Sequence, residues 1–227
     1  MAGPDAKGRL VAAFAELSTT EHDPSRLARW AAADVLRRAI NELITSDATD
    51  EAVVEAVELV ERAVELLASQ AHGRSYAGVA EGSMSGANRT FVDFSPLAGR
   101  SNPLAPPLVI EMLDDRVIGR GSFGAAYEGP PGCVHGGFIA ASFDEVLGFA
   151  QSLSGPPGMT GRLTVSYRSP TPLGAPLVFS GRVDSVSGRK ISTSATLHHG
   201  DTLCAEAQGL FISVDPSVFE RLLAQRG

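Results

Sequence analysis

Between residues 136 and 153 the apolar positions recur with the period of a helix, and they do so on two sides. One stripe, spaced by three or four residues, consists of Ile139, Phe143, Val146, Ala150 and Leu153. A second stripe with the same spacing consists of Gly137, Ala141, Asp144, Gly148 and Gln151. Two such stripes predict a helix that is packed on both sides. Asp144 is the only carboxylate on the second stripe, and a buried acid normally has a partner or a function.

After this helix the period changes from that of a helix to that of a strand. Leu163, Val165 and Tyr167 alternate with polar residues, and similar alternation continues through 177–186, 191–197 and 203–211. Ser187-Gly188-Arg189 and His198-His199-Gly200-Asp201 are the turns between these strands. Before the helix, 108–112 and 117–128 have extended character. The pattern predicts an α+β fold in which an antiparallel sheet wraps one long central helix.

The remainder of the chain divides into an N-terminal helical region, 1–72, and a Gly/Ser/Pro-rich linker, 73–107, with the sheet-and-helix domain at 108–227. Asp23-Pro24 and Thr49-Asp50 are start signals for two helices. An apolar side is expected on the first helix, from Leu27, Trp30, Ala31, Leu36, Ile40 and Leu43. The stripe Val53, Val57, Val60, Val64 and Leu67 predicts a packing surface on the second, against its own chain or a second copy. A short helix is expected from Asp215 onward.

The composition of the chain narrows the classes of function that it could have. A net charge of -7 argues against a nucleic-acid surface, and 44% apolar with 20% charged residues is ordinary for a globular protein. Two cysteines, Cys133 and Cys204, cannot form a disulfide framework, so a cytoplasmic location is expected. No signal peptide and no membrane span are evident.

The central helix also predicts an oligomer. Gly136 lies at its start, where free amides and the positive end of the helix dipole favour a developing oxyanion. Asp144 lies eight residues further on, about 12 Å along the axis at ~1.5 Å per residue. One carbonyl cannot touch both groups of the same helix. If both act together, they come from antiparallel helices of two subunits, which predicts a two-fold dimer.

These residues also carry a family resemblance. His135-Gly136-Gly137, then Asp144, then Thr160, then the run from Tyr167 to Leu173 resembles the hotdog-fold acyl-CoA thioesterases of the PaaI-like type. The similarity is greatest to the branch of thioesterase superfamily member 4, and it covers roughly 108–213. The resemblance implies a hotdog fold, a dimer or a dimer of dimers, and hydrolysis of acyl-CoA without a metal or cofactor.

The resemblance also implies roles for individual residues. Asp144 would be the general base or the nucleophile, and Thr160 would hold the water or the acid. The amide of Gly136 would bind the thioester oxygen from the partner subunit, with His135 supporting the loop and Gly137 beside the substrate. Gly129 stands where some relatives carry Asn or Gln six residues before the histidine. Arg168, Arg189 and Lys190 are basic residues near strand ends that could bind CoA phosphates or be solvated.

Other interpretations remain open. The chain could be a non-catalytic module that binds acyl thioesters, with the helical region recruiting a partner. A hotdog hydratase is less favoured, because the helix carries an Asp rather than a His that could act on a substrate carbon. His198-His199 has no third metal ligand at a convincing spacing, so a solvated turn is expected. Glu145 points about 100° away from Asp144 and is expected to bind another group.

Overall fold

The computed structural model describes residues 24–70, 91–106, 108–155, 158–215 and 217. Six strands form one sheet: β1 (Val109–Met112), β2 (Val117–Gly121), β3 (Gly158–Tyr167), β4 (Leu177–Ser187), β5 (Lys190–His199) and β6 (Thr202–Ser213). Their order is β1-β2-β4-β5-β6-β3, and every neighbouring pair is antiparallel. Two tight hairpins, with Gly188 and Gly200 at positive φ, join β4, β5 and β6.

The central helix of the domain, Gly136–Ser152, contacts all six strands, so the sheet curls around it. The predicted apolar stripe from Ile139 to Leu153 is buried throughout. Phe143 meets Phe179 of β4 edge to face, with ring centroids 5.2 Å apart. A Cβ on Gly119 or Gly181 would lie within 3.1 Å of Val146, so these two glycines let the helix approach β2 and β4 closely. The predicted α+β hotdog fold is confirmed.

Among the described residues, two helices precede the sheet, α1 (Pro24–Thr45) and α2 (Asp50–Ala68), so the central helix is named α3. The predicted starts at Pro24 and at Asp50 are confirmed, and Thr49 caps α2 by accepting from the Ala52 amide. Of the residues predicted to form the apolar side of α1, only Trp30 is buried within the chain, since Leu27, Leu36, Ile40 and Leu43 are exposed. Ala33 is buried as well. The stripe of α2 is uncovered within its own chain.

Two strand predictions need correction. The extended stretch predicted for 117–128 ends at Gly121, and a 3₁₀ turn at Ala125–Tyr127 follows. His198 and His199 are the last residues of β5, so the turn consists of Gly200 and Asp201 alone. In both places a hydrogen-bonded partner, rather than the local residue preference, decides where the strand ends.

The predicted linker contains an ordered segment, residues 91–106, which we call the strap. It begins with a 3₁₀ turn at Phe91–Phe94 and buries Ser95, Ala98 and Ala105. The Leu108 amide donates to the Leu97 carbonyl, which ties the end of the strap to its own start. Residues 91–106 are therefore a packed element rather than a tether. The rest of the predicted linker before residue 91, and the predicted C-terminal helix apart from Ser217, lie outside the described residues.

We expect Phe179→Ala to destabilise the protein by about 3–5 kcal/mol, because it leaves a cavity against Phe143 and the whole of α3. Urea unfolding at neutral pH measures this change. Val178→Ala is the matched control. Val178 directly precedes Phe179 on β4, so its side chain points away from the helix, and it is 37% exposed. The control should cost less than about 1 kcal/mol. Equal losses in the two variants would contradict the packing described.

Candidate active site

A rigid turn delivers the chain to the start of α3. The Gly132 amide donates to Glu128 Oε1 at 2.7 Å, and the Gly129 amide donates to the Cys133 carbonyl at 2.9 Å. Gly132 has a φ of +71°, which favours glycine. A Cβ on Gly129 would lie 2.7 Å from the Cα of His135. This contact explains why glycine occupies the position: no side chain fits there without a shift of the backbone.

His135 is the N-cap of α3. Its Nδ1 accepts a hydrogen bond from the Gly137 amide at 3.0 Å, so the proton of the neutral ring is assigned to Nε2. The Gly136 amide, in contrast, makes no hydrogen bond to any other described residue. Of the two glycine amides, only that of Gly136 is therefore available at this helix end. The amide of Gly137, a predicted substrate contact, is already occupied.

Tyr167 is a residue at this end that the sequence analysis assigned only to the sheet. Its hydroxyl donates to the Gly136 carbonyl at 2.7 Å. A Cβ on Gly136 would lie 3.2 Å from the tyrosine ring. The last residue of β3 thus fixes the first residue of α3. The alternation in 163–167 placed Tyr167 on the inner face, but nothing in the sequence identified its partner.

Asp144 and Thr160, which lie 16 positions apart in the chain, are in direct contact. Thr160 Oγ1 donates to Asp144 Oδ1 at 2.9 Å. Asp144 is half-buried, and Thr160 is exposed near the start of β3. The pairing of β3 with β6 shifts register between Thr160 and Arg162, so Gly161 forms a bulge. Bulges often redirect a side chain beside a functional site. The structure therefore brings two predicted site residues together.

Glu145 follows Asp144 but faces another neighbour. Its Oε1 accepts a hydrogen bond from Ser95 Oγ of the strap. This matches the prediction that Glu145 binds another group. Burial raises the pKa of Glu145; the Ser95 hydrogen bond lowers it in part, and the nearby charge of Asp144 adds to the increase. The 50 positions between Ser95 and Glu145 kept this contact from being visible in the sequence.

The three predicted basic residues are divided between two places. Arg168 pairs with Glu206 on the outer face of the sheet, beside a polar cavity of about 540 Å³ that faces away from α3. Arg189 donates from Nε to the Ser213 carbonyl at 3.0 Å. Ile191 pairs with Phe211, which pairs with Thr160, so Lys190 lies at the same end of the sheet as Thr160. Because β6 lies between β5 and β3, the backbones of Ile191 and Thr160 are two strand spacings apart, which is about 10 Å.

Gly136 and Asp144 lie on one straight element, separated by two turns of α3. A small reacting group cannot contact both within one chain. The stripe that carries Asp144 is open from Gly137 to Gly148: Gly137 is exposed, Ala141 and Gly148 are half-buried, and a Cβ on Gly148 would meet no atom within 4 Å. Gln151, the last residue of the predicted stripe, is buried.

Metal and membrane features are absent from the described part of the chain. Within residues 24–70, 91–106 and 108–155, and from 158 onward as far as described, no group of three His, Cys, Asp or Glu side chains could hold a metal ion. In the same ranges, no helix has both the length and the apolar character needed to cross a bilayer.

Comparison with known proteins identifies a family and individual proteins to which this chain is similar. The profile of the thioesterase superfamily matches residues 131–206, from the turn before α3 into β6. The acyl-coenzyme A thioesterase THEM4 of Xenopus laevis is 39% identical over 95 residues, which are 41% of this chain and 43% of that protein. THEM4 of Bos taurus is 38% identical over 95 residues, 41% of this chain and 39% of that protein. The chain thus aligns with less than half the length of either relative.

One solved structure matches much more of the chain. A crystal structure of a thioesterase superfamily protein is 34% identical, with a TM-score of 0.75. The match covers 86% of this chain and 94% of the other, so it extends well beyond the sheet and α3. With nearly the whole of a solved member aligned at this identity, the chain belongs to the thioesterase superfamily.

Proposed function

We propose that the protein is an acyl-CoA thioesterase, which hydrolyses acyl-CoA to a free carboxylic acid and CoA. The observation that carries the proposal is the hydrogen bond from Thr160 to Asp144, on a carboxylate beside an open stripe of small residues. The names of the THEM4 relatives point to the same substrate class. No metal or cofactor is invoked.

The chemistry requires a base and a way to orient the attacking group. Thr160 occupies one oxygen of Asp144, so the other oxygen is available to take a proton from water. The water oxygen bonds to the thioester carbon, the C–S bond breaks, and the proton passes to the leaving thiolate. Direct attack by Asp144, followed by hydrolysis of the resulting anhydride, gives the same products.

The oxyanion would be bound by the amide of Gly136. That amide has no hydrogen-bond acceptor among the described residues of its own chain and lies at the positive end of α3. Removing such a donor costs about 3–4 kcal/mol of transition-state stabilisation in well-studied cases. The His135 cap leaves Gly136 as the available donor, and the Tyr167 hydroxyl binds the carbonyl of the same residue. Gly137 would line the substrate without a side chain.

The distance between Gly136 and Asp144 makes the proposed site a shared one. Two α3 helices packed antiparallel along the open stripe would bring the amide of one subunit to the carboxylate of the other, in a homodimer or a dimer of such dimers. Arg189, at the Thr160 end of the sheet, is the best placed of the predicted basic residues for CoA phosphates. Lys190 lies at the same end, but the alternation of β5 puts its side chain on the face opposite that of Ile191. Arg168 faces the other side and is already paired. Two unpaired cysteines accord with a cytoplasmic enzyme.

A binding module without turnover is the second candidate, favoured by Gly129, which leaves out a side-chain amide that some relatives place near the thioester. The two functions differ in one measurement. Acyl-CoA that binds at micromolar concentration without release of CoA thiol, on any chain length, would support the module and contradict the enzyme.

Asp144→Ala should lower kcat by about 10²- to 10⁴-fold, since it removes the base or nucleophile. Thr160→Ala should lower it by about tenfold, because one hydrogen bond to the charged group is lost. A thiol-release assay over a panel of acyl-CoAs measures both. Thr164→Ala is the matched control: the same residue type on the same strand, exposed on the outer face of the sheet. Full activity in Asp144→Ala would end this assignment.

Gly148→Trp tests the shared site. A Cβ at this position would meet no heavy atom within 4 Å, so the subunit should fold with its unfolding midpoint nearly unchanged. The large ring should block a second α3, so sedimentation should give monomers and turnover should be lost. Thr164→Trp, on the exposed outer face of the sheet, controls for an added indole. An intact, active dimer carrying Gly148→Trp would rule out this arrangement.

A further inference from the structure

The strap is fastened to α1 by arginine side chains. Arg26 binds the Asp93 carboxylate with two hydrogen bonds, of 2.6 and 2.9 Å. Arg37 donates to four strap carbonyls, those of Gly99, Arg100, Asn102 and Ala105, at 2.8–3.3 Å. The ring of Trp30 lies against the guanidinium groups of Arg26 and Arg100. The start and the end of the strap are therefore held by one helix.

The strap in turn is fastened to α3 beside Asp144. Ser95 is almost fully buried, and its Oγ accepts from the amides of Leu97 and Ala98 at 3.1 and 3.2 Å. With both acceptor sites occupied, its own proton is directed to Glu145. A second contact lies nearer the start of α3, where the Tyr127 hydroxyl donates to the Leu104 carbonyl and its ring packs on Phe138.

These contacts give α3 three distinct sides. Ile139, Phe143 and Val146 face the sheet, while Phe138 and Glu145 lie on the flank that meets Tyr127 and the strap. The third side is the open stripe that carries Asp144. On the flank at Glu145 the hydrogen bond from Ser95 supports α3, next to the carboxylate that must align with Thr160.

We propose that Glu145 is a positioning residue for the reaction: held by Ser95, it couples the α1–strap unit to the alignment of Asp144. This inference rests on the proposed thioesterase function. A carboxyl is a costly choice for a buried contact, because burial disfavours its charged form and raises its pKa. When the contact is lost, α3 loses its support beside Asp144.

The test compares kcat and KM of the full chain and its variants. Ser95→Ala and Glu145→Ala should each lower kcat by about tenfold, the scale expected when a reacting group is slightly misplaced, with KM changed less than about twofold. Glu145→Gln keeps an oxygen that accepts from Ser95 and should restore kcat to within about threefold of the parent. Glu111→Gln, an exposed carboxylate on β1 paired with Arg120, is the control.

The hydrogen-exchange rate of the amides of residues 141–148 is a second readout. Exchange should rise in Ser95→Ala and in Glu145→Ala and stay at the parent rate in Glu145→Gln. An inactive parent protein would overturn the proposed function itself. An active parent with unchanged kcat in both alanine variants would overturn only the present inference.

Folding failure is also informative. Ser95→Ala also removes the acceptor of two strap amides. If this variant alone does not fold, the kcat of Glu145→Ala decides whether the inference holds. Failure of both to fold would overturn the inference, because the contact would then serve stability alone. Loss of kcat in Glu145→Gln equal to that in Glu145→Ala would overturn it too, since the retained hydrogen bond would not matter.

Discussion

The burial of one side of α3 in the curl of the sheet is the constraint on which the rest depends. Phe143 and Phe179 meet at its centre, and Gly119 and Gly181 allow the helix to sit close to β2 and β4. Burying side chains of this size stabilises by about 1.5–3 kcal/mol each, so α3 cannot leave the sheet without unfolding the domain. Every other feature of the candidate site is placed relative to this helix.

A helix that is fixed in this way presents polar groups at defined positions. Its N-terminus meets Tyr167 at one end of β3, and Asp144 meets Thr160 near the other end of the same strand. One strand therefore supports both the amide end and the carboxylate, two turns apart along α3. The separation is rigid within a chain, which is why the proposed chemistry requires a second subunit rather than a flexible loop.

The sequence was sufficient where spacing along one element carries the information. The two stripes of α3 predicted its bounds, its buried side and the position of Asp144, and the glycines at 188 and 200 predicted hairpins. It failed where the contact is made by backbone or between distant segments. The buried side of α1 is missed because Arg37 binds carbonyl groups, which every residue has. Ser95 and Glu145 are each ordinary polar residues until folding brings them together.

The cap of α3 shows how charge and chemistry are reconciled at a helix start. An aspartate there would satisfy an amide equally well, but its charge would offset the positive end of the helix dipole. The neutral Nδ1 of His135 satisfies the Gly137 amide without adding a negative charge. Under the proposed mechanism this leaves both the field of α3 and the amide of Gly136 for the oxyanion. The histidine therefore contributes through the acceptor that it supplies, and no proton transfer by its ring is required.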